Sequence, residues 1–349
     1  MILMSVWNVY AQDQIKTLLA SIEKNNISLK SLKEDREAAR LAASVNLLPD
    51  NPEVEYNYLT GSPSTLGNRH DFSIRQTFDF PTAYLFKNKL SSSGKIVSDL
   101  NYEKSRQDIL LEARKLCDDV IYQENLLRIA SQREEDANRM VMAYRKMLEE
   151  GKGNKLDLNR ALIALAQVKS EILLLKNHQM EMLSKLKVMN GGESLVINMI
   201  NFPEVPLPAN FEDWYSINSN QITELKLLRE MIVSKDLTVK VQRSLTLPKF
   251  SAGYMSEKVT GEQFQGVTLG MSLPLWGNRN TVKTLKAEYS SLELKLSEEE
   301  LRIKAEMNIQ FDRVISFRSM AENLRTTLLE TNNERSEEHT SELQSRLHL

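Results

Sequence analysis

The chain has 349 residues, 41% of them hydrophobic and 26% charged, with a formal net charge of -2. That length could hold two ordinary domains, and the balanced charge argues against a basic nucleic-acid-binding face. The single cysteine, Cys117, excludes an internal disulfide framework, and its place beside a helical seam reads as a small buried hydrophobe.

Residues 1–12 are apolar and end in Val9-x-Ala11, the small-residue pattern of a signal-peptidase site without a positive n-region, and read as a signal-peptide remnant. A helix is predicted from about Gln14 to Asn46, with a break at Asn25-Asn26 and an end ahead of Pro49 and Pro52. In the strand that follows, Val54, Tyr56 and Tyr58 alternate with Glu53, Glu55 and Asn57. After Gly61-Ser62-Pro63 and Gly67-Asn68, a second strand alternates Phe72, Ile74, Gln76, Phe78 and Phe80 with Ser73, Arg75, Thr77 and Asp79. Period-two alternation gives each strand one apolar and one polar face. A soluble sheet packed on protein and a membrane barrel facing lipid both satisfy that pattern.

A long helix then runs from about Tyr84 to Glu150, roughly 100 Å at 1.5 Å per residue. Stepping alternately four and three residues from Ile109 meets Ala113, Leu116, Val120, Gln123, Leu127, Ala130, Glu134, Ala137, Val141, Tyr144 and Leu148. Only Gln123 and Glu134 interrupt this heptad seam. Gly151-Lys152-Gly153-Asn154 supplies a turn, after which Ala161, Leu165, Val168, Ile172, Leu175, Gln179, Met182, Leu186 and Met189 continue the stepping as the second arm of an αα-hairpin.

About 196 residues on, the pattern repeats: Leu29-Lys30, Glu34, Pro52 and Tyr58 return as Leu225-Lys226, Glu230, Pro248 and Tyr254. The later strands set Phe250, Ala252 and Tyr254 against Lys249, Ser251 and Gly253, and Val267, Leu269, Met271, Leu273 and Leu275 against Thr268, Gly270 and Ser272. The repeats are placed at residues 13–193 and 213–334 with a linker over 194–212. Residues 335–349 break the helical pattern, lack a counterpart and resemble a sequencing-adapter read-through. No stretch approaches the ~20 apolar residues of a spanning helix, so membrane insertion would have to use strands.

Enzyme chemistry finds no footing. Outside the tail the only histidines are His70 and His178, without a ligand cluster, and no nucleophile elbow, phosphate loop or dinucleotide fingerprint occurs. Catalytic, cofactor and metal sites are therefore each read as none. Met140-x-Met142 and Met180-x-Met182 read as packing rather than soft-metal contacts, since residues two apart on a helix diverge. Glu149-Glu150 and Asp118-Asp119 read as solvated helix faces.

The stretches Asn46-Leu47-Leu48-Pro49-Asp50-Asn51-Pro52-Glu53-Val54-Glu55-Tyr56, Gln76-Thr77-Phe78-Asp79-Phe80-Pro81, Gly151-Lys152-Gly153-Asn154-Lys155-Leu156-Asp157-Leu158 and Ser272-Leu273-Pro274-Leu275-Trp276-Gly277, in this duplicated order, resemble the TolC family of outer-membrane efflux proteins, in its heavy-metal and multidrug channel branch. The resemblance covers about Gln14 to Asn333. It implies a mainly α fold with β: long coiled-coil helical hairpins, and two β-hairpins giving four strands to a twelve-stranded barrel shared by a homotrimer. It implies a passive channel from the periplasm through the outer membrane of a Gram-negative bacterium, working with a periplasmic adaptor and an inner-membrane pump.

Carried over by residue, Gly151, Gly153, Asn154, Leu156, Asp157 and Leu158 would form the adaptor-facing tip. Ser73, Arg75, Thr77, Thr268, Gly270 and Ser272 would face the lumen. Phe72, Ile74, Phe78, Val267, Leu269, Met271 and Leu273 would face outer-membrane lipid. The family's entrance-closing carboxylates would fall beyond Leu349, so the chain reads as ending before its second tip, with no gate assigned. The competing reading is a soluble periplasmic coiled-coil adaptor or scaffold with its hairpins in small β domains. Strand polarity separates the two, and Gln76 is the one clear lapse on the apolar side.

Overall fold

The computed structural model describes residues 2–45, 47–197, 202, 206–259, 261–274 and 279–347, with side chains placed between residues 14 and 327 of these except at Ser64 and Arg279. Its elements in chain order are α1 (Ile2–Asn25), α2 (Ile27–Ala42), β1 (Glu53–Thr60), β2 (Asn68–Phe78), α3 (Pro81–Glu149), α4 (Lys155–Met189), α5 (Phe211–Asn218), α6 (Thr223–Ser244), β3 (Lys249–Val259), β4 (Glu262–Ser272) and α7 (Arg279–Leu347). Leu275, Trp276 and Gly277, which the motifs include, and Asn46 lie outside the described residues, as do the side chains of the N-terminal and C-terminal segments.

The expected break at Asn25-Asn26 is a cap. Asn26 leaves helical geometry at φ -58° and ψ 121°, and its side chain accepts from the Leu29 N–H to start α2. The long helix begins at Pro81, three residues before the expected Tyr84. Proline is well suited to the first helical position, where its missing N–H would be unpaired anyway. The α7 backbone stays helical through Leu347, so the change of pattern near Arg335 is not a helix end. The repeat offset persists in the elements: α2 and α6 start at Ile27 and Thr223, and β1 and β3 at Glu53 and Lys249.

The chain divides into two compact units, Met1–Leu48 with Lys87–Pro206, and Pro49–Phe86 with Leu207–Leu349. In the first, α1, α3 and α4 share a core of Ile22, Ala113, Cys117, Val120 and Leu186, extended by Leu18, Leu116, Met182 and Met189. Ile15 and Ile121 continue it along α1 and α3, and Leu127, Ala130 and Ile172 along α3 and α4. Every residue of both predicted seams is buried or half-buried. Cys117 is fully buried, and desolvation pushes its thiol up to about 11, where it stays protonated and unreactive.

Polar fasteners pin one end of this core. The Asn190 carboxamide, 1% exposed, accepts from Ser21 Oγ (3.1 Å) and Asn25 Nδ2 (3.2 Å), while Asn26 Nδ2 donates to the Met189 carbonyl (2.7 Å). The break in the first helix is thus held against the end of α4. Arg106 bonds both Glu23 oxygens at 2.7 and 3.0 Å and holds that carboxyl below its ordinary range.

In the second unit α6 packs on α7, with Arg229–Glu300 and Lys235–Glu288 each at 2.9 Å. The short α5, capped by Asn210, stacks Phe211 on Tyr215 and sets it against Phe311 of α7. The four strands form one antiparallel sheet in the order β1-β2-β3-β4. Its central pair is β2 and β3, and its edge strands β1 and β4, each paired on one side only among the described residues, are exposed along their length.

Candidate functional site

Strand register decides what the sheet can do. Directly opposed residues of an antiparallel pair share a face. One face therefore collects Val54, Ile74, Tyr254 and Val267 across all four strands, then Ala252 with Leu269, and Phe78, Phe250 and Met271 in neighbouring rows. Phe72 and Tyr56 extend it toward the hairpin ends. Val267 and Leu269 are 78% and 82% exposed. The band from Phe78 to His70 spans eight residue steps, about 27 Å along the strand or roughly 21 Å once tilted as in a barrel.

The opposite face holds Glu53, Arg75, Gly253 and Thr268 in one row, Glu55, Ser73, Met255 and Gly266 in the next, then Asn57, Asp71, Glu257 and Phe264. All five strand carboxylates, Glu53, Glu55, Asp71, Glu257 and Glu262, lie on this side. Arg69 reaches Asp71 at 2.8 Å and Glu257 at 3.2 Å. A shallow concavity here is lined by Glu55, Asn57, Asp71, Ser73, Arg75 and Met255 among others. Gly253 is obligatory, because a Cβ there would lie 2.4 Å from the Ile74 carbonyl oxygen.

Ser73, Arg75, Thr77, Thr268, Gly270 and Ser272 all fall on the polar face, and Phe72, Ile74, Phe78, Val267, Leu269 and Met271 on the apolar one. Leu273 lies one residue beyond the end of β4. Gln76 sits on the apolar face with its amide satisfied, donating to the Asp50 carbonyl at 2.5 Å and the Thr77 carbonyl at 3.0 Å. Sequence reasoning missed four apolar residues on the polar side: Leu59, Met255, Val259 and Phe264. Counting parity outward from Gly253 and Thr268 would have found the last three.

At the strand bases, Lys249 pairs with Asp79 at 3.0 Å, and the Asp79 N–H donates to Tyr84 Oη at 2.9 Å. This ties the start of β3 to the segment leading into α3.

The helical tip is a built turn. The Lys152 N–H reaches the Met147 carbonyl and the Gly151 N–H that of Leu148, with Gly151 at φ +69°, a Schellman ending for α3. Asn154 caps α4 by accepting from the Leu156 N–H, and Asp157 stands in the first turn, where a carboxylate suits the helix dipole. Leu156 is exposed, while Asp157 and Leu158 are half-buried. A Cβ on Gly153 would lie 2.7 Å from the Leu148 nitrogen. Gly153→Val is therefore expected to open the turn at a cost of about 1–3 kcal/mol locally, seen as faster proteolysis at residues 151–154 with little change in helix content.

Met140, Met142 and Met180 are exposed and Met182 packs against the core, so neither methionine pair presents two sulfurs to one site. Among the described residues no three His, Cys, Asp or Glu side chains group as metal ligands, and no helix is long and apolar enough to cross a membrane.

No protein-family model matches the chain, and no curated protein matches its sequence. Solved structures do. The chain is similar to the CmeC outer membrane channel of Campylobacter jejuni, at 16% identity over 83% of this chain and 68% of that one with a TM-score of 0.64. It is similar to the outer-membrane channel OprN, at 13% identity over 86% and 74% with a TM-score of 0.72. To the outer membrane protein VceC from Vibrio cholerae it is 11% identical over 85% and 77%, with a TM-score of 0.66. At these identities the likeness is one of architecture, reached through the same order of long helices and paired hairpins. The chain has the TolC-like fold of the outer-membrane channels.

Proposed function

We propose that the chain is the protomer of an outer-membrane efflux channel. Three copies would close their four-stranded sheets into a twelve-stranded barrel, with repeats over 13–193 and 213–334 supplying the strands and the tunnel helices. The observation that carries this reading is the sheet itself: one apolar face without a carboxylate, one polar face, and two open edges, all in a single layer. A sheet of this kind exposes both its edge hydrogen-bonding groups and its apolar side, and closure in lipid satisfies both at once.

The apolar face would meet outer-membrane lipid, and Ser73, Arg75, Thr77, Thr268, Gly270 and Ser272 the water-filled lumen. The Gly151–Leu158 tip would meet a periplasmic adaptor, which in turn engages an inner-membrane pump. Transport through the channel would be passive, with no catalytic step and no cofactor. The channels that share the fold support this reading through the names they carry.

Membrane fractionation of the chain expressed in a Gram-negative host tests it. Retention in the outer membrane after a urea wash, with migration as a trimer in mild detergent, is the expected result. Release as a soluble species would mean that the strands pack on protein, and a periplasmic adaptor or scaffold would replace the channel.

A further inference from the structure

The polar face of the sheet is interrupted by an apolar island. Phe264 of β4, 60% exposed, opposes Glu257. Met255 opposes Gly266 one row to one side, and Val259 opposes Glu262 one row to the other. All three side chains therefore stand on the face that carries every strand carboxylate, at the hairpin end of β3 and β4. Gly266 leaves open space beside the Phe264 ring, since a Cβ built on it meets nothing within 4 Å. Leu59, also exposed, brings an apolar residue to the same end of the opposite edge strand, β1.

The charge around the island is lopsided. The row of Phe264 contains Asp71 and Glu257, and the single guanidinium of Arg69 serves both. Across the whole face five carboxylates oppose three cations, Arg69, Arg75 and Lys249.

We infer that the Phe264–Met255–Val259 island and the Asp71–Glu257 carboxylates together form a contact site for amphiphilic cations inside the lumen: the apolar body lies on the island, and the cationic head sits beside the carboxylates. This inference rests on the barrel reading above. In a twelve-stranded barrel with a Cα radius of about 12 Å, a phenylalanine reaches about halfway to the axis, so three copies would press on any solute larger than a hydrated ion. An aromatic face also attracts an organic cation directly.

Single-channel recording in planar bilayers with the intact chain tests the site, using tetrabutylammonium as the amphiphilic cation, tetramethylammonium as the small cation and butanesulfonate as the anion. Tetrabutylammonium is expected to half-block the potassium current at a concentration at least tenfold below that of the other two. Phe264→Ser should raise its half-blocking concentration fivefold or more with tetramethylammonium unmoved, Phe264→Leu should retain most of the block, and Met255→Ser should weaken it in the same direction. Glu257→Gln should reduce the preference for cations over the sulfonate. Unchanged block in Phe264→Ser, or equal block by butanesulfonate, overturns the site while leaving the channel standing. Absence of any conductance from the wild-type chain overturns the channel reading and the site with it.

Discussion

Leu269→Arg is expected to remove the chain from the membrane, whereas Thr268→Arg, one residue away, is expected to leave it there. The two positions are adjacent on β4 yet oppose Ala252 and Gly253 respectively, so their side chains stand on opposite faces. Leu269 lies within the apolar band and is 82% exposed in the isolated chain, so whatever surrounds the sheet must solvate it. A guanidinium costs about 2–4 kcal/mol at the lipid midplane and less toward the interfaces, and Leu269 lies one row from the centre of the band. With one in each of three copies, the penalty is at most roughly 6–12 kcal/mol per assembly, enough to abolish insertion. On the wet face the same charge stays hydrated and costs little. Urea-washed membranes probed for each variant give the result. Equal retention of both would show that the two faces do not differ in their surroundings, and the lipid-facing reading would fail.

Leu186→Ala is expected to destabilise the first unit by about 2–5 kcal/mol without touching the sheet. Leu186 is fully buried among Ile22, Ala113, Cys117 and Val120, which lie on two other helices. Truncation removes transfer energy and leaves a cavity where α1, α3 and α4 meet, and long helices cannot collapse into it without breaking their own seam. The Asn190 fasteners lie four residues on, so loosening there should also free the Asn25-Asn26 junction. Chemical denaturation followed by helix signal should show the lower midpoint. Cys117 provides a second readout: its buried thiol should become open to alkylation at lower denaturant in the variant. A shift below about 0.5 kcal/mol would mean that this cluster is not a working core.

Much of the architecture was legible because it is written in periods. The alternating four-three stepping from Ile109 to Leu148 and from Ala161 to Met189 placed both seams, and every predicted position is at least half-buried. Alternation at Val54, Phe72, Phe250 and Val267 assigned strands and their two faces correctly, because side-chain direction in a strand follows from parity alone. The offset of 196 residues carried the starts of α6 and β3, whereas β4 begins two residues ahead of the position that β2 would give it. The tip glycines were legible because a tight reversal needs a residue free to take positive φ or to admit close backbone approach.

What the sequence left undecided depends on partners distant along the chain. Ile121 joins the core only because α1 lies across α3, which no heptad on α3 alone announces. The Asn190 network links residues about 165 positions apart and turns a pair of asparagines from a bare helix break into a fixed corner. Gln76 looked like a flaw on the apolar side of β2 until backbone carbonyls were found to satisfy its amide. Above all, pairing of β2 with β3 joins the two repeats into one sheet and thereby gathers the carboxylates and the Phe264 island on one side. Local propensity and periodicity are properties of a segment and survive in the sequence. Register between segments is a property of their meeting, and only the tertiary structure fixes it.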